Sequence, residues 1–300
     1  MAAETAATGG QVRRTGPATP YLFLLPYFVV FTTFVLVPAV YGLWISLHDW
    51  DYLLPGKPFV GLDNYKALFD PGSAVYSFWW ESLSATGIFT VLSVPLLLVI
   101  PLLIALLLNR RFKGRTLFRA IYFAPYVLGV AVIGVLWRFL LDPNLGVVNA
   151  IIGGSTPWTT AVPWAWVTLV GVTVWWTLGF NAVIYLAGLQ DIPRELYEAA
   201  RIDGGGKWSE FRHVTLPGLR PVLLFITVNT ILVSANMFGQ SYLITQGAPG
   251  TETRTAIMYI AQVGLADYKM GSAAAMSYLL TACLLVISVI VFRMFREKDK

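Results

Sequence analysis

Six long apolar segments limit what this chain can fold into. They cover residues 21–47, 83–108, 117–140, 164–189, 218–243 and 272–293. Each is long enough to cross a bilayer as an α-helix, which needs roughly 20 mostly apolar residues. Hydrophobic residues make up 57% of the chain and charged residues only 12%, and that charged share is about half the share in an average soluble protein. The sequence therefore predicts an all-α membrane protein with six transmembrane helices.

Basic residues alternate between the loops on the two sides of the membrane. The N-terminal tail, the loops after the second and fourth segments and the C-terminal tail together hold 16 of the 21 Lys and Arg residues. Cytoplasmic loops carry such an excess, so we expect a multi-pass protein with both termini in the cytoplasm. The predicted division is a disordered tail over 1–20, a six-helix membrane domain over 21–293 with a cytoplasmic loop over 190–217, and a short tail over 294–300. The net charge of +5 is modest and does not indicate nucleic-acid binding.

The loop over 190–217 is longer and more organised than a plain connection. Asp191 can cap a helix start, and Pro193 suits a first helical turn. Good helix formers follow, and the glycines at 204–206 accept the left-handed geometry that ends a helix. A second short helix is predicted over 208–213. We therefore expect a short helix, a sharp turn and a rigid connection into the fifth segment.

A motif in this loop resembles one in a known family. Glu198-Ala199-Ala200, then Gly204, then Val214-x-Leu216-Pro217 is similar to the EAA motif of binding-protein-dependent ATP-binding cassette (ABC) importer permeases, with Val214 where the family has isoleucine. The resemblance implies a type I ABC importer permease fold, in which this loop is the coupling helix that docks on an ATPase subunit. The implied coupling residues are Glu198, Ala199, Ala200, Arg201, Asp203, Gly204, Leu216 and Pro217. The alternative is an ordinary amphipathic connecting helix.

Weaker matches elsewhere indicate a carbohydrate permease. Phe59–Tyr65 resembles the FVGLxNY segment of permeases of the maltose and glycerol-3-phosphate type. The stretches at 114–119, 144–149 and 271–277 are similar to the same group, and Thr245–Pro249 resembles its TQGGP turn. The resemblance implies a subunit that moves a sugar or sugar derivative into the cytoplasm. An importer of amino acids, peptides or polyamines is the alternative within the class, and a secondary transporter is a more distant one.

The resemblance also implies partners and a location. They are a second permease subunit in a heterodimer, two ATPase subunits that bind ATP and Mg²⁺, and an extracytoplasmic solute-binding protein. The membrane would be the bacterial plasma (inner) membrane, with its lipids around the helices. No internal repeat and no ionisable pair in the middle of a span is visible, and both would be expected of many secondary carriers.

No motif for chemistry in this chain itself is present. The glycines and lysine at 204–207 lack the following Ser or Thr of a phosphate-binding loop, since Trp208 stands there. The single cysteine, Cys283, forms no intrachain disulfide, and His48 and His213 are far apart in sequence. We therefore expect no catalytic residue, no metal site and no cofactor in this chain.

Polar and aromatic side chains within the fourth and fifth segments are candidates for a substrate path. Polar groups inside spans usually face a bundle interior or a cavity, and amides can donate to and accept from sugar hydroxyls. Trp176 or Tyr242 could stack on the apolar face of a sugar. The alternative is that these groups bond helix to helix. The candidates are Trp176, Thr177, Asn181, Asn229, Ser234, Asn236, Gln240 and Tyr242.

Overall fold

A computed structural model describes residues 19–110 and 112–296. Within these residues every regular element is helical, and no strand forms beyond two isolated bridges. Most of the predicted tails, 1–20 and 294–300, lies outside the described residues, so the disorder of the tails stays a prediction. The described parts, 19–20 and 294–296, continue the adjoining helices.

Fourteen α-helices form the described chain. In chain order they are α1 (Thr19–Phe31), α2 (Val37–Ser46), α3 (Asp63–Lys66), α4 (Tyr76–Leu108), α5 (Arg115–Val127), α6 (Val130–Leu140), α7 (Val147–Ile152), α8 (Trp164–Asp191), α9 (Arg194–Ile202), α10 (Lys207–Glu210), α11 (Leu216–Gly218), α12 (Arg220–Ala235), α13 (Ala256–Ala261) and α14 (Met270–Arg296). Turns of π-helix occur at Thr32–Leu36, Phe211–Thr215, Ser241–Thr245 and Gln262–Ala266.

Four spans are uninterrupted and two are broken. The uninterrupted ones are α1 joined to α2 through a π-helical turn, then α4, α8 and α14. The broken ones are α5 with α6 and the helical segment 207–218 with α12. The predicted all-α membrane fold is confirmed, and the count of six spans holds when each bent pair is one span.

The third span differs from its prediction as one continuous helix over 117–140. It bends by 95° between α5 and α6. Leu128 and Gly129 have extended backbone there, with ψ of 135° and 151°, three residues after Pro125, whose ring removes a helical donor. The hydropathy pattern carries no trace of this break because both halves are apolar.

The fifth span also departs from its predicted range of 218–243. The helix α12 ends at Ala235, and helical structure resumes only near the π-helical turn Ser241–Thr245. At its start, α12 meets the segment 207–218 at 67°, where Pro221 occupies the first turn and cannot continue the preceding hydrogen-bond ladder. The span is therefore shorter than predicted and has a break at each end.

The core lies where α4 and α8 pack along one another, with α12 against α4. Phe89, Ile133 and Leu169 are fully buried there. At Gly179 of α8, an added Cβ would lie 2.2 Å from the carbonyl oxygen of Tyr122 in α5. Small residues of this kind allow transmembrane helices to approach closely. The half-span α5 is therefore held directly against α8.

Asn64 joins the first and last spans at the end of the bundle away from α9. Its Nδ2 donates to the carbonyl oxygens of Ser46 and His48, each at 2.9 Å. Its Oδ1 accepts from the hydroxyl of Ser272 at 3.3 Å. The segment Phe59–Tyr65 thus has a structural role, as it connects the end of α2 to the start of α14.

The first span has few contacts beyond this join. An added Cβ at Gly271 would lie 2.1 Å from the His48 carbonyl oxygen, and the Tyr278 hydroxyl donates to the carbonyl of Ala39. None of the most apolar 18-residue window of this span is buried. The span packs on α14 through α2 and presents the rest of its apolar surface outward.

Candidate functional site

The helix α9 begins two residues later than a cap at Asp191 predicts. Asp191 is the last residue of α8 rather than the cap of α9, and Pro193 precedes the first turn. Ile192 has extended backbone, with φ −72° and ψ 122°, because a residue before proline is disfavoured in the helical region. The connection from α8 to α9 is therefore short and sterically restricted.

The predicted end of α9 at the glycines has a defined hydrogen-bond pattern. Gly204 has φ +81°, a backbone geometry that other residues adopt at a cost. The amide of Gly205 donates to the carbonyl of Ala200 at 2.8 Å, and the amide of Gly204 donates to the carbonyl of Arg201 at 3.0 Å. These two bonds make a Schellman motif, which satisfies carbonyls that the helix end would leave unpaired.

Two side-chain contacts hold α9 to the segment that leads into α12. The Arg201 Nε donates to the Glu210 Oε1 at 2.7 Å. This bond lowers the pKa of Glu210 and raises the pKa of Arg201. The hydroxyls of Tyr197 and Thr215 lie 3.0 Å apart. A displacement of α9 would therefore act on the start of α12 through these contacts.

The eight predicted coupling residues lie on one continuous loop. Seven are exposed and Ala200 is half-buried. Two exposed apolar side chains were missed by the sequence reasoning: Ile202 is 86% exposed and Trp208 is 70% exposed. The sequence did carry a signal for these two residues. They flank three glycines, and a turn at the glycines places both side chains outside the helix bundle.

Seven of the eight predicted path residues line one cavity of about 370 Å³. It lies among α8, α12, the break between α5 and α6, and the segment after α12. The predicted residues in its lining are Trp176, Thr177, Asn181, Asn229, Ser234, Asn236 and Gln240. Tyr242 is not in the lining. It is 53% exposed and stacks on Phe238 with ring centroids 5.1 Å apart.

Several of the polar groups at this cavity are already engaged with protein. The Asn181 Nδ2 donates to the carbonyl of Leu97 at 3.1 Å, which leaves the Oδ1 as an acceptor. The Ser234 and Ser93 hydroxyls meet at 3.2 Å. The Gln240 Nε2 lies 3.4 Å from the hydroxyl of Thr173. These bonds orient the side chains and join helices, as the alternative interpretation of these residues expects, and their role in a substrate path stays a prediction.

Aromatic and hydroxyl residues that the sequence reasoning missed complete the lining. Tyr126 and Phe180 stack with centroids 4.8 Å apart, and Phe238 lines the same cavity. The Thr230 hydroxyl is buried, and among the described residues it has no hydrogen-bond partner. All described lining residues are neutral. The cavity thus combines amides, hydroxyls and aromatic faces without a charge.

The chain matches a known family over most of its length. The family described as binding-protein-dependent transport system inner membrane component matches residues 72–297. The arabinooligosaccharides transport system permease protein AraP of Bacillus subtilis (strain 168) is 34% identical, over 92% of this chain and 88% of that protein. The trehalose/maltose transport system permease protein MalF of Thermococcus litoralis is 35% identical, over 91% of each chain.

A solved structure shares the fold. The bacterial alginate ABC transporter in complex with alginate pentasaccharide-bound periplasmic protein contains a chain that superposes with a TM-score of 0.78 at 24% identity, covering 94% of this chain and 95% of that one. Together these matches confirm the resemblance to ABC importer permeases and the predicted fold. This multi-pass membrane protein belongs to the family of binding-protein-dependent transport system inner membrane components.

Proposed function

We propose that this chain is the permease subunit of an ABC importer that moves a sugar or sugar derivative into the cytoplasm. The observation that carries the proposal is the neutral cavity, lined by amides, hydroxyls and aromatic rings, beside the break in the third span and the end of α12. Relatives named for arabinooligosaccharide and trehalose/maltose transport support the same solute class.

The cavity has the chemistry that a hydroxyl-rich solute needs. Amide side chains offer donors and acceptors to sugar hydroxyls, and the free Oδ1 of Asn181 and the amide of Asn229 are available for this role. The rings of Tyr126 and Trp176 provide flat apolar surfaces for the C–H face of a sugar. A volume of about 370 Å³ is at the small end of the about 300–1,000 Å³ range of ligand pockets, which suits a small saccharide.

Energy would come from other subunits. In this proposal the side that carries α9 is cytoplasmic, and an ATPase subunit docks there with Glu198 paired to an arginine of its own. The chain itself has no ATPase site; ATP and Mg²⁺ are bound by two ATPase subunits. A second permease subunit completes the membrane part as a heterodimer, and a solute-binding protein delivers the sugar from outside.

The contacts of α9 suggest how motion reaches the cavity. Arg201 and Tyr197 are bonded to Glu210 and Thr215, which precede α12. The residues Asn229 and Ser234 of α12 line the cavity. When the ATPases close, α9 would therefore pull on α12 and change the access to the cavity from one side of the membrane to the other.

A charge reversal on α9 tests the proposal. The complete transporter is reconstituted in vesicles with its binding protein, and uptake of labelled sugar is measured together with ATP hydrolysis. Glu198→Arg should abolish both while the subunit still reaches the membrane. The control is Glu195→Arg, which reverses an exposed charge on the same helix and should leave both intact. Normal uptake in Glu198→Arg would refute the coupling role.

The solute class needs a separate measurement. Purified binding protein encoded beside this subunit is screened against sugars, amino acids and peptides by the rise in its melting temperature, since a ligand stabilises the state it binds. Uptake of the same compounds is then compared. A binding protein and transporter that select amino acids or peptides would refute the sugar assignment and leave the permease assignment standing.

A further inference from the structure

A second cavity lies between α9 and the end of α4, on the side of the membrane that carries α9. Its volume is about 860 Å³, and its lining includes Arg110, Arg115, Arg194 and Arg201. An adjoining cavity of about 610 Å³ shares Arg110 and adds Lys207. We name the cavity with the four arginines the basic groove.

The basic groove has more positive charge than its own carboxylates neutralise. Arg201 is paired with Glu210. Within residues 19–110 and 112–296, no carboxylate lies within 4.0 Å of the guanidinium groups of Arg110, Arg115 or Arg194. The described lining contains four arginines against the two carboxylates of Glu198 and Glu210. An excess of basic residues on one side orients a membrane protein, but that rule does not require arginines from the residues after α4, from α5 and from α9 to line one cavity.

The basic groove lies beside an exposed apolar stripe on α4. At its inner end the lining is apolar, with Leu189 and Ile192. On α4, Leu103 and Leu107 are 54% and 58% exposed, and helical spacing places them on the side that leads to Arg110. A hydrocarbon chain along this stripe would bring a group at its polar end to the arginines.

We propose that the basic groove binds the phosphodiester headgroup of an anionic phospholipid, with an acyl chain along Leu103 and Leu107. Arginine binds phosphate through parallel hydrogen bonds in a planar geometry, and basic pockets between transmembrane helices bind anionic headgroups. Because Arg194 and Arg201 belong to α9, the bound lipid would join α9 to the end of α4. The proposal does not depend on which solute is transported.

The test uses the complete transporter in nanodiscs made with either phosphatidylcholine alone or a mixture with phosphatidylglycerol. Native mass spectrometry after detergent extraction counts the retained phosphatidylglycerol. The variant Arg110→Gln/Arg115→Gln removes two charges from the groove. The control Arg212→Gln/Arg293→Gln removes two exposed charges from the same side, outside the groove, so it matches the loss of general attraction to anionic membranes and leaves the groove intact. A third variant, Arg194→Gln, tests the opposite wall if the first does not assemble.

Wild type and the control are expected to retain phosphatidylglycerol. The groove variant should retain at least about 100-fold less, since each lost hydrogen bond from an arginine to the phosphate contributes about tenfold or more. Equal retention in the groove variant, equal loss in the control, or no retention by wild type would each overturn the proposal. A parallel sample in phosphatidylcholine receives free glycerol phosphate. A rise in its melting temperature, combined with no retained phosphatidylglycerol in the other sample, would assign the groove to a soluble phosphate and refute the lipid proposal.

Discussion

The indole Nε1 of Trp176 donates a hydrogen bond to the carbonyl oxygen of Leu128 at 3.0 Å. Leu128 lies at the break between α5 and α6, where a helical partner for this carbonyl is missing. In a bilayer an unpaired backbone group costs several kcal/mol, and neighbouring helices are what satisfy groups freed at such breaks. The fourth span thus stabilises the bend of the third one beside the cavity.

Trp176→Phe should destabilise this bend. The ring face remains, but the Leu128 carbonyl, at an exposed position, loses its donor, which costs about 1 kcal/mol, the net contribution of an ordinary hydrogen bond. The melting temperature of the purified subunit assembly and sugar uptake should both fall. Trp175→Phe, at the more exposed neighbouring position, is the control and should change neither by a comparable amount. A Trp176→Phe protein with wild-type melting and uptake would contradict the role assigned to this bond.

Gly179→Ala should separate α5 from α8. The new methyl group would lie 2.2 Å from the Tyr122 carbonyl oxygen, and overpacking of this kind typically costs about 1–3 kcal/mol. Gly171→Ala on the same helix is the matched control, because its Cβ meets nothing within 4 Å. Thermal unfolding of the two variants in the same detergent gives the comparison. Equal stability of the two would show that the helices can shift apart without loss.

Gly204→Ala should loosen the end of α9. Left-handed backbone costs a residue with a Cβ about 1–2 kcal/mol, and both Schellman bonds depend on it. Hydrogen exchange of α9 amides should accelerate, and the ratio of sugar moved to ATP hydrolysed should fall. At Gly206 φ is −79° and an added Cβ is free of contacts, so Gly206→Ala should behave like wild type. Unchanged exchange in Gly204→Ala would rule out the turn as a requirement.

The Arg201–Glu210 pair should respond to pH in a defined direction. The bond lowers the pKa of Glu210 below the ordinary 4.5. The stabilisation that the bond provides is therefore complete above pH 4.5 and is lost as the pH falls through the lower pKa of Glu210 in the folded state. Spin labels at positions 195 and 212 report the distance between the two helical segments. The distribution should broaden on acidification in wild type and be broad already at neutral pH in Glu210→Gln. Lys207→Gln should retain the wild-type response; a narrow distribution in Glu210→Gln would exclude the pair as a tether.

Asn229→Leu should weaken solute binding without unfolding the subunit. The change keeps the approximate volume and removes the amide, and one lost hydrogen bond corresponds to about three- to tenfold in affinity. The concentration of sugar-loaded binding protein at half-maximal uptake should rise by that factor. Val228→Leu, next to it and outside the cavity lining, is the control. Equal kinetics in both variants would place the sugar elsewhere.

Hydropathy and charge were sufficient to predict the class of fold. A segment of about twenty mostly apolar residues has few alternatives to a spanning helix. The four uninterrupted spans could therefore be predicted from hydropathy alone. Leu128–Gly129 shows the limit, since a break between two apolar half-helices depends on a donor from Trp176, 48 residues away in sequence. Such long-range satisfaction of a backbone group leaves no local pattern.

The sequence predicted most polar members of the candidate site and, among its aromatic rings, Trp176 alone. Amides within apolar segments are costly unless paired or facing a cavity, and that reasoning selected Asn181, Asn229 and Gln240. Phe180 and Phe238 carry no comparable signal, because an aromatic ring in a span is ordinary. Tyr242 lies outside the cavity lining, since regular helix stops at Ala235 and resumes only near the turn that holds Tyr242, and its place in the path stays a prediction.

The contact between α2 and α14 can form only late in the synthesis of the chain. The span that contains α2 finds its packing partner α14 only after all the residues between them have been made. The roughly 220 intervening residues, at about 5–20 residues per second, take about 10–45 s to translate. During that interval the Asn64 amide has no Ser272 and the His48 carbonyl has no Gly271 to pack against. The contact between α2 and α14 is thus formed after the other spans have been made. A nascent chain that ends before α14 lacks this contact even when the spans in between have already packed.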